Sequence, residues 1–92
     1  MELGEFQTIL ADTYLAKDLE RGTAATIAWL AEETGELAKA IRKGTRDEQI
    51  HELGDVLAWV VSLANQLDIE IEEVAKRYFD GCPSCEGVPC VC

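Results

Sequence analysis

Two short stretches of the 92-residue chain carry acids at spacings that allow joint chemistry: Glu32, Glu33 and Glu36 in the first, Glu52 and Asp55 in the second. If the first stretch is helical, at about 100° per residue, Trp29, Leu30, Leu37 and Ala40 fall within roughly 60° of Glu33. Glu36 lies roughly 60° to the other side. Glu33 is then central to an apolar stripe, a costly place for an ionised carboxylate. Glu32 sits further round, where a solvated boundary explains it equally well. In the second stretch Glu52 stands beside Val56, Trp59 and Leu63, while Asp55 lies opposite the stripe Leu53, Leu57, Val60 and Ala64 and also reads as plain polar surface.

If Glu33, Glu36, Glu52 and Asp55 converge, each pair of like charges about 6 Å apart costs roughly 3 kcal/mol at an effective dielectric near 20. The sum rivals the stability of a small domain. Either protons or a cation must relieve it. An oxygen-only ligand set selects Mg²⁺, Mn²⁺ or Ca²⁺, and Mg²⁺ completed by substrate phosphates suits phosphoanhydride chemistry.

The elements that must position these acids are helices. Proline is absent before Pro83 and apolar residues recur at three and four, so the chain reads as all-α. Helix 1 is expected from about Leu3 to Asp18, burying Phe6, Ile9, Leu10, Tyr14 and Leu15. A loop at Leu19 to Gly22 follows. Helix 2 runs from Thr23 to Lys43, with Gly44 as its stop. Thr45-Arg46-Asp47-Glu48 is a capping-box pattern opening helix 3, which continues to about Leu67. Asp68 is placed to cap a fourth helix, Ile69 to about Phe79. Helices 2 and 3 must fold back as an antiparallel hairpin within a four-helix bundle-like protomer. Val56 to Ala64 has only Ser62 as a polar residue, and so short a chain cannot surround it, which predicts a homodimer. Gly35 and Gly54, each beside acids, suggest close approach of a helix or ligand; simple tolerance is the alternative.

Residues 1–80 are read as the helical domain and 81–92 as a Cys-rich tail. Cys82, Cys85, Cys90 and Cys92 are four thiols within eleven residues, a ligand count that fits a structural Cys₄ zinc site. A reduced, unstructured tail and a redox-active Cys-x-x-Cys are the alternatives.

Eighteen acidic against eight basic residues give a net charge of -10. That argues against nucleic-acid polymers and anionic membrane surfaces as partners. The longest apolar run, Val56 to Val61, is far short of the roughly 20 residues that span a bilayer. The N-terminus lacks a signal-peptide core, so the expected location is the cytoplasm.

Glu32-Glu33-Thr34-Gly35-Glu36 followed by Glu52-Leu53-Gly54-Asp55 resembles the EExxE and ExxD pattern of the MazG-like nucleoside triphosphate pyrophosphohydrolases, short single-domain type. The resemblance extends from about Phe6 to Lys76. It implies an all-α bundle that dimerises, sometimes into a tetramer, and cleaves a nucleoside triphosphate between its α and β phosphates. Monophosphate and pyrophosphate are the products. Carried onto this chain, Glu33, Glu36, Glu52 and Asp55 are the Mg²⁺ ligands, with Mn²⁺ as a substitute, and Glu32 helps orient the attacking water. Trp29 and Trp59 are candidates to stack on the base, or are ordinary core aromatics. Lys39, Lys76 and their basic neighbours Arg42, Lys43 and Arg77 are candidates for the phosphates. The chain departs from the pattern where its last helix breaks into the cysteine tail instead of continuing into Asn, Lys and Arg residues.

Two readings compete with this one. Glu48-Gln49-Ile50-His51 offers the Glu-x-x-His step of a carboxylate-bridged di-iron bundle, but only once, and it leaves Glu52 and Asp55 unexplained. His51 is otherwise expected in solvent. The other rival is a non-enzymatic acidic helical module that docks a partner through a zinc-binding tail.

Overall fold

A computed structural model describes residues 1–92. It is helical throughout, with no strand: α1 (Leu3–Arg21), α2 (Thr23–Lys43), α3 (Arg46–Gln66), α4 (Ile71–Ala75) and a 3₁₀ turn at Lys76–Tyr78. The α2–α3 hairpin is the most extensive helix pairing, and α1 packs along α3.

The connections follow from local chemistry. The loop expected at Leu19 to Gly22 shrinks to Gly22 alone, because helix-compatible residues carry α1 on to Arg21 and Gly22 takes φ of 89°, which a side chain would resist. Its N–H donates to Asp18 O at 2.9 Å, and its carbonyl accepts from the Thr26 hydroxyl of α2 at 3.1 Å. At the second turn Gly44 passes so close to α2 that a Cβ there would lie 2.7 Å from the Ala40 carbonyl oxygen. Thr45 and Glu48 form both halves of the capping box.

The fourth helix is shorter than its sequence suggests. Asp68 adopts φ of 56° and does not cap it. Gln7 of α1 does that work: its Oε1 accepts from the Ile71 N–H at 2.9 Å, and its Nε2 donates to Ile69 O at 2.8 Å. Asn65 ties back to the Gln7 carbonyl at 3.2 Å. This junction closes over a small core of Leu10, Val61, Ala64 and Ile71, lined by Leu3, Phe6 and Ala58.

Burial corrects two expectations. On α1, Leu10 is buried and Phe6 and Leu15 are partly so, but Ile9 and Tyr14 are about half exposed. On α3 the faces are reversed: Leu53, Leu57 and Val60 are exposed, whereas Asp55, Ala58 and Trp59 are partly buried, Ser62 is buried and Val61 fully so. Only Ala64 of the expected stripe is buried. The α3 face that meets α1 is therefore built mainly of small residues, Ala58, Val61, Ser62 and Ala64, while Leu53, Leu57 and Val60 stand on the outside. No helix is long and apolar enough to cross a membrane.

Candidate functional site

The hairpin sets acids of α2 against acids of α3. Glu33 is partly buried, and its carboxyl is held above the ordinary carboxylate range. Lost hydration is the first cause; the negative charges of Asp55, Glu52, Glu36 and Glu32 follow in that order. Two of these lie on the facing helix, so the two stretches do come together in space. Glu52 Oε2 is buried with no hydrogen-bond partner, which is costly for a carboxylate oxygen. Glu32 and Glu36 are exposed.

Within α3, His51, Glu52 and Asp55 bring donor atoms to within 4.8 Å of one another, and His51 Nε2 lies 3.3 Å from Asp55 Oδ2. His51 is exposed as expected, yet it meets Asp55 one helical turn on, a contact that the i,i+4 spacing could have signalled. Glu33 and Glu36 are outside that shared reach. Such separation is expected of carboxylates that repel one another. The donor set fits a hard divalent cation: it is rich in carboxylate oxygen, short of positive charge and contains an orphaned buried oxygen. Glu52 and Asp55 supply the carboxylates of that close group, and Glu33 faces their charges from α2.

On one side of the acids a cleft of about 210 Å³ is lined by Tyr14, Asp18, Arg21, Asp55, Ala58, Trp59 and Ser62. Trp29 and Trp59 stack with parallel rings, and the Arg21 guanidinium lies 5.2 Å from the Trp59 ring centroid. Arg21 is anchored at 3.0 Å to Asp18, whose side chain is almost fully buried. Sequence reasoning missed Arg21, Asp18 and Tyr14; the only local hint was the i,i+3 spacing of Asp18 and Arg21. On the other side a shallow depression gathers Glu36, Lys39, Lys43, Glu48 and Glu52. Lys76 lines neither recess and instead pairs with Glu73 at 2.8 Å.

Residues 21–82, well over half of the chain, match the family profile described as the MazG nucleotide pyrophosphohydrolase domain. The chain belongs to that family. All five acids of the two motifs lie inside the matched segment, as do Trp29, Trp59, Lys39 and Lys76. A similar protein is the uncharacterized protein YpjD of Bacillus subtilis (strain 168), 43% identical over 63 residues. The alignment takes in 58% of this chain and 57% of YpjD, so the chain spans little more than half of that relative. Within the MazG domain the acids sit on the hairpin, while Tyr14 and Asp18 reach the same cleft from outside the matched segment.

The four cysteine thiols, unpaired by disulfides, also converge, with all sulfurs within 4.8 Å of one another. The Cys85 thiol is lowered to about 6, first by the backbone N–H of Val91 and then by that of Gly87.

Proposed function

We propose that the chain is a Mg²⁺-dependent nucleoside triphosphate pyrophosphohydrolase, cleaving the α–β phosphoanhydride to monophosphate and pyrophosphate. The observation that carries this reading is the buried, unpartnered Glu52 Oε2 in a hairpin where Glu33 meets the charges of Glu52 and Asp55. Membership of the MazG family supplies the class of substrate.

Glu33, Glu36, Glu52 and Asp55 hold the cation in this proposal. When bound, Mg²⁺ polarises phosphoryl oxygens and lowers the pKa of a coordinated water. Glu32, exposed at the edge of the cluster, orients the attacking water, with Glu36 beside it. Trp59, with Trp29 stacked on it, offers an aromatic surface in the cleft for the base. Lys39, beside Glu36 and Glu52, meets the phosphates as a point charge, and Arg21 adds a planar guanidinium at the cleft. Lys76, exposed and paired with Glu73 away from both recesses, remains a candidate phosphate contact.

The working unit we propose is a cytoplasmic homodimer, or a tetramer built from it. Ile50, Leu53, Leu57 and Val60 are all exposed and spaced three, four and three apart on α3. That is the seam spacing of paired helices. A second copy of the same face would cover it.

The test is release of pyrophosphate from a panel of ribo- and deoxyribonucleoside triphosphates, with Mg²⁺, with Mn²⁺ and with chelator. Release that needs the metal supports the proposal. No turnover on the whole panel with either metal would favour a non-enzymatic acidic module docking a partner through its tail.

A further inference from the structure

We propose that Cys82, Cys85, Cys90 and Cys92 bind one Zn²⁺ as a closed tetrathiolate, and that this ion organises residues 81–92. The inference is independent of the hydrolase reading. Three of the four cysteines lie beyond residue 82, where the MazG match ends.

All four sulfurs lie within 4.8 Å of one another, and three of their separations are close to the edges of a tetrahedral site. With Zn–S bonds of about 2.3 Å, the edge of a tetrahedron of sulfurs is about 3.8 Å. Cys82 and Cys92 sulfurs are 3.8 Å apart, Cys85 and Cys90 3.9 Å, and Cys90 and Cys92 3.4 Å. The short stretch between the two pairs is thus no obstacle to closing the site. All these separations far exceed the roughly 2.05 Å of a disulfide.

The backbone is shaped to present the thiols. The Glu86 N–H donates to Cys82 O at 2.7 Å and the Cys82 N–H to Gly87 O at 3.1 Å, closing a tight turn round the first pair. The Val91 N–H points at Cys85 Sγ, 3.5 Å away. A Cβ on Gly87 would lie 2.7 Å from Pro89 O and 3.3 Å from Cys85 Sγ, so the wrap closes only around a glycine.

Nothing else in the segment accounts for its order. None of residues 79–92 is buried, and every hydrogen bond made by residues 82–92 is to another of them. A dozen residues with no apolar core must recover their ordering entropy elsewhere, and metal binding is the usual source in small folds. Four soft thiolates reject Mg²⁺ and Ca²⁺ and favour zinc, and four protein ligands leave no open position for catalysis. The carboxylate hairpin and the thiolate tail therefore select different metals.

The experiment is elemental analysis of the full chain, grown with added zinc and purified without chelator. About one zinc per chain is expected, with the thiols unreactive to a titrating reagent until the metal is removed. Exchange for Co²⁺ should give the intense visible absorption of a tetrahedral cobalt thiolate. Cys90→Ser should lose most of the bound zinc while the helical circular dichroism of residues 3–78 persists; should that variant fail to fold, the wild-type zinc content and cobalt spectrum decide alone. Four freely titrating thiols with no bound metal would overturn the proposal, as would one iron per chain in place of zinc. Neither result bears on nucleotide hydrolysis.

Discussion

Trp29 of α2 and Trp59 of α3 lie parallel, their ring planes 6° apart and their centroids 6.1 Å apart. Arg21, the last residue of α1, adds its guanidinium to Trp59 and its Nη1 to Asp18. One joint thus ties together the three long helices at the edge of the cleft. Arg21→Ala would remove the partner of a nearly buried carboxylate and the cation over the ring. We expect it to cost about 2 kcal/mol of stability in urea unfolding. Arg21→Lys should recover only part, because an ammonium cannot stack as the planar guanidinium does. Unfolding midpoints for Arg21→Ala that match wild type would refute this account of the joint.

Glu33 makes metal-free stability depend on pH. Its carboxyl titrates higher in the folded chain than in the unfolded one, so the folded state is the better proton binder. The stability this provides is complete below the unfolded pKa and is lost as pH rises through the folded one. Glu33→Gln, which cannot ionise, should raise the melting temperature of metal-free protein near pH 8 and leave it unchanged near about pH 4. Added Mg²⁺ should stabilise wild type more than Glu33→Gln. Thermal scans at both pH values check this; equal gains at the two would locate the effect elsewhere.

Adjacent valines separate the core from the proposed interface. Val61 is fully buried within the protomer, whereas Val60 is 40% exposed on the outer seam of α3. Val61→Asp should therefore unfold the chain, and Val60→Asp or Leu57→Glu should keep its helix content while splitting the proposed dimer. Light scattering with circular dichroism reads both properties. A wild type that is monomeric at micromolar concentration contradicts the proposed assembly.

What could be read in the sequence was local. The capping box of Thr45 and Glu48 and the stop at Gly44 depend on neighbours a few residues away, and they stand as expected. The start of α4 could not be read, since its cap is Gln7, sixty-four residues from Ile71. The outward stripe of Leu53, Leu57 and Val60 looked like core because an exposed apolar face has the same periodicity as a buried one. Among the site residues, Glu33 was visible through its odd place on an apolar face, and the other motif acids through their EExxE and ExxD spacing. Arg21 was not, because its part depends on Trp59 of another helix.

The acids should be separable from the fold. Glu36→Gln and Asp55→Asn should each lower Mg²⁺-dependent turnover by about 100-fold or more while leaving the metal-free protein as stable as wild type or more so, since each removes repulsion. Turnover paired with melting temperature is the check. Activity retained in both variants would exclude these acids from the reaction.

The central claim is the bond that is cut, and phosphorus NMR of the products tests it most directly. Wild type with Mg²⁺ and a nucleoside triphosphate should yield monophosphate and pyrophosphate in equal amounts, with none formed in chelator. Orthophosphate and diphosphate as the products, or the same turnover without metal, would contradict the account.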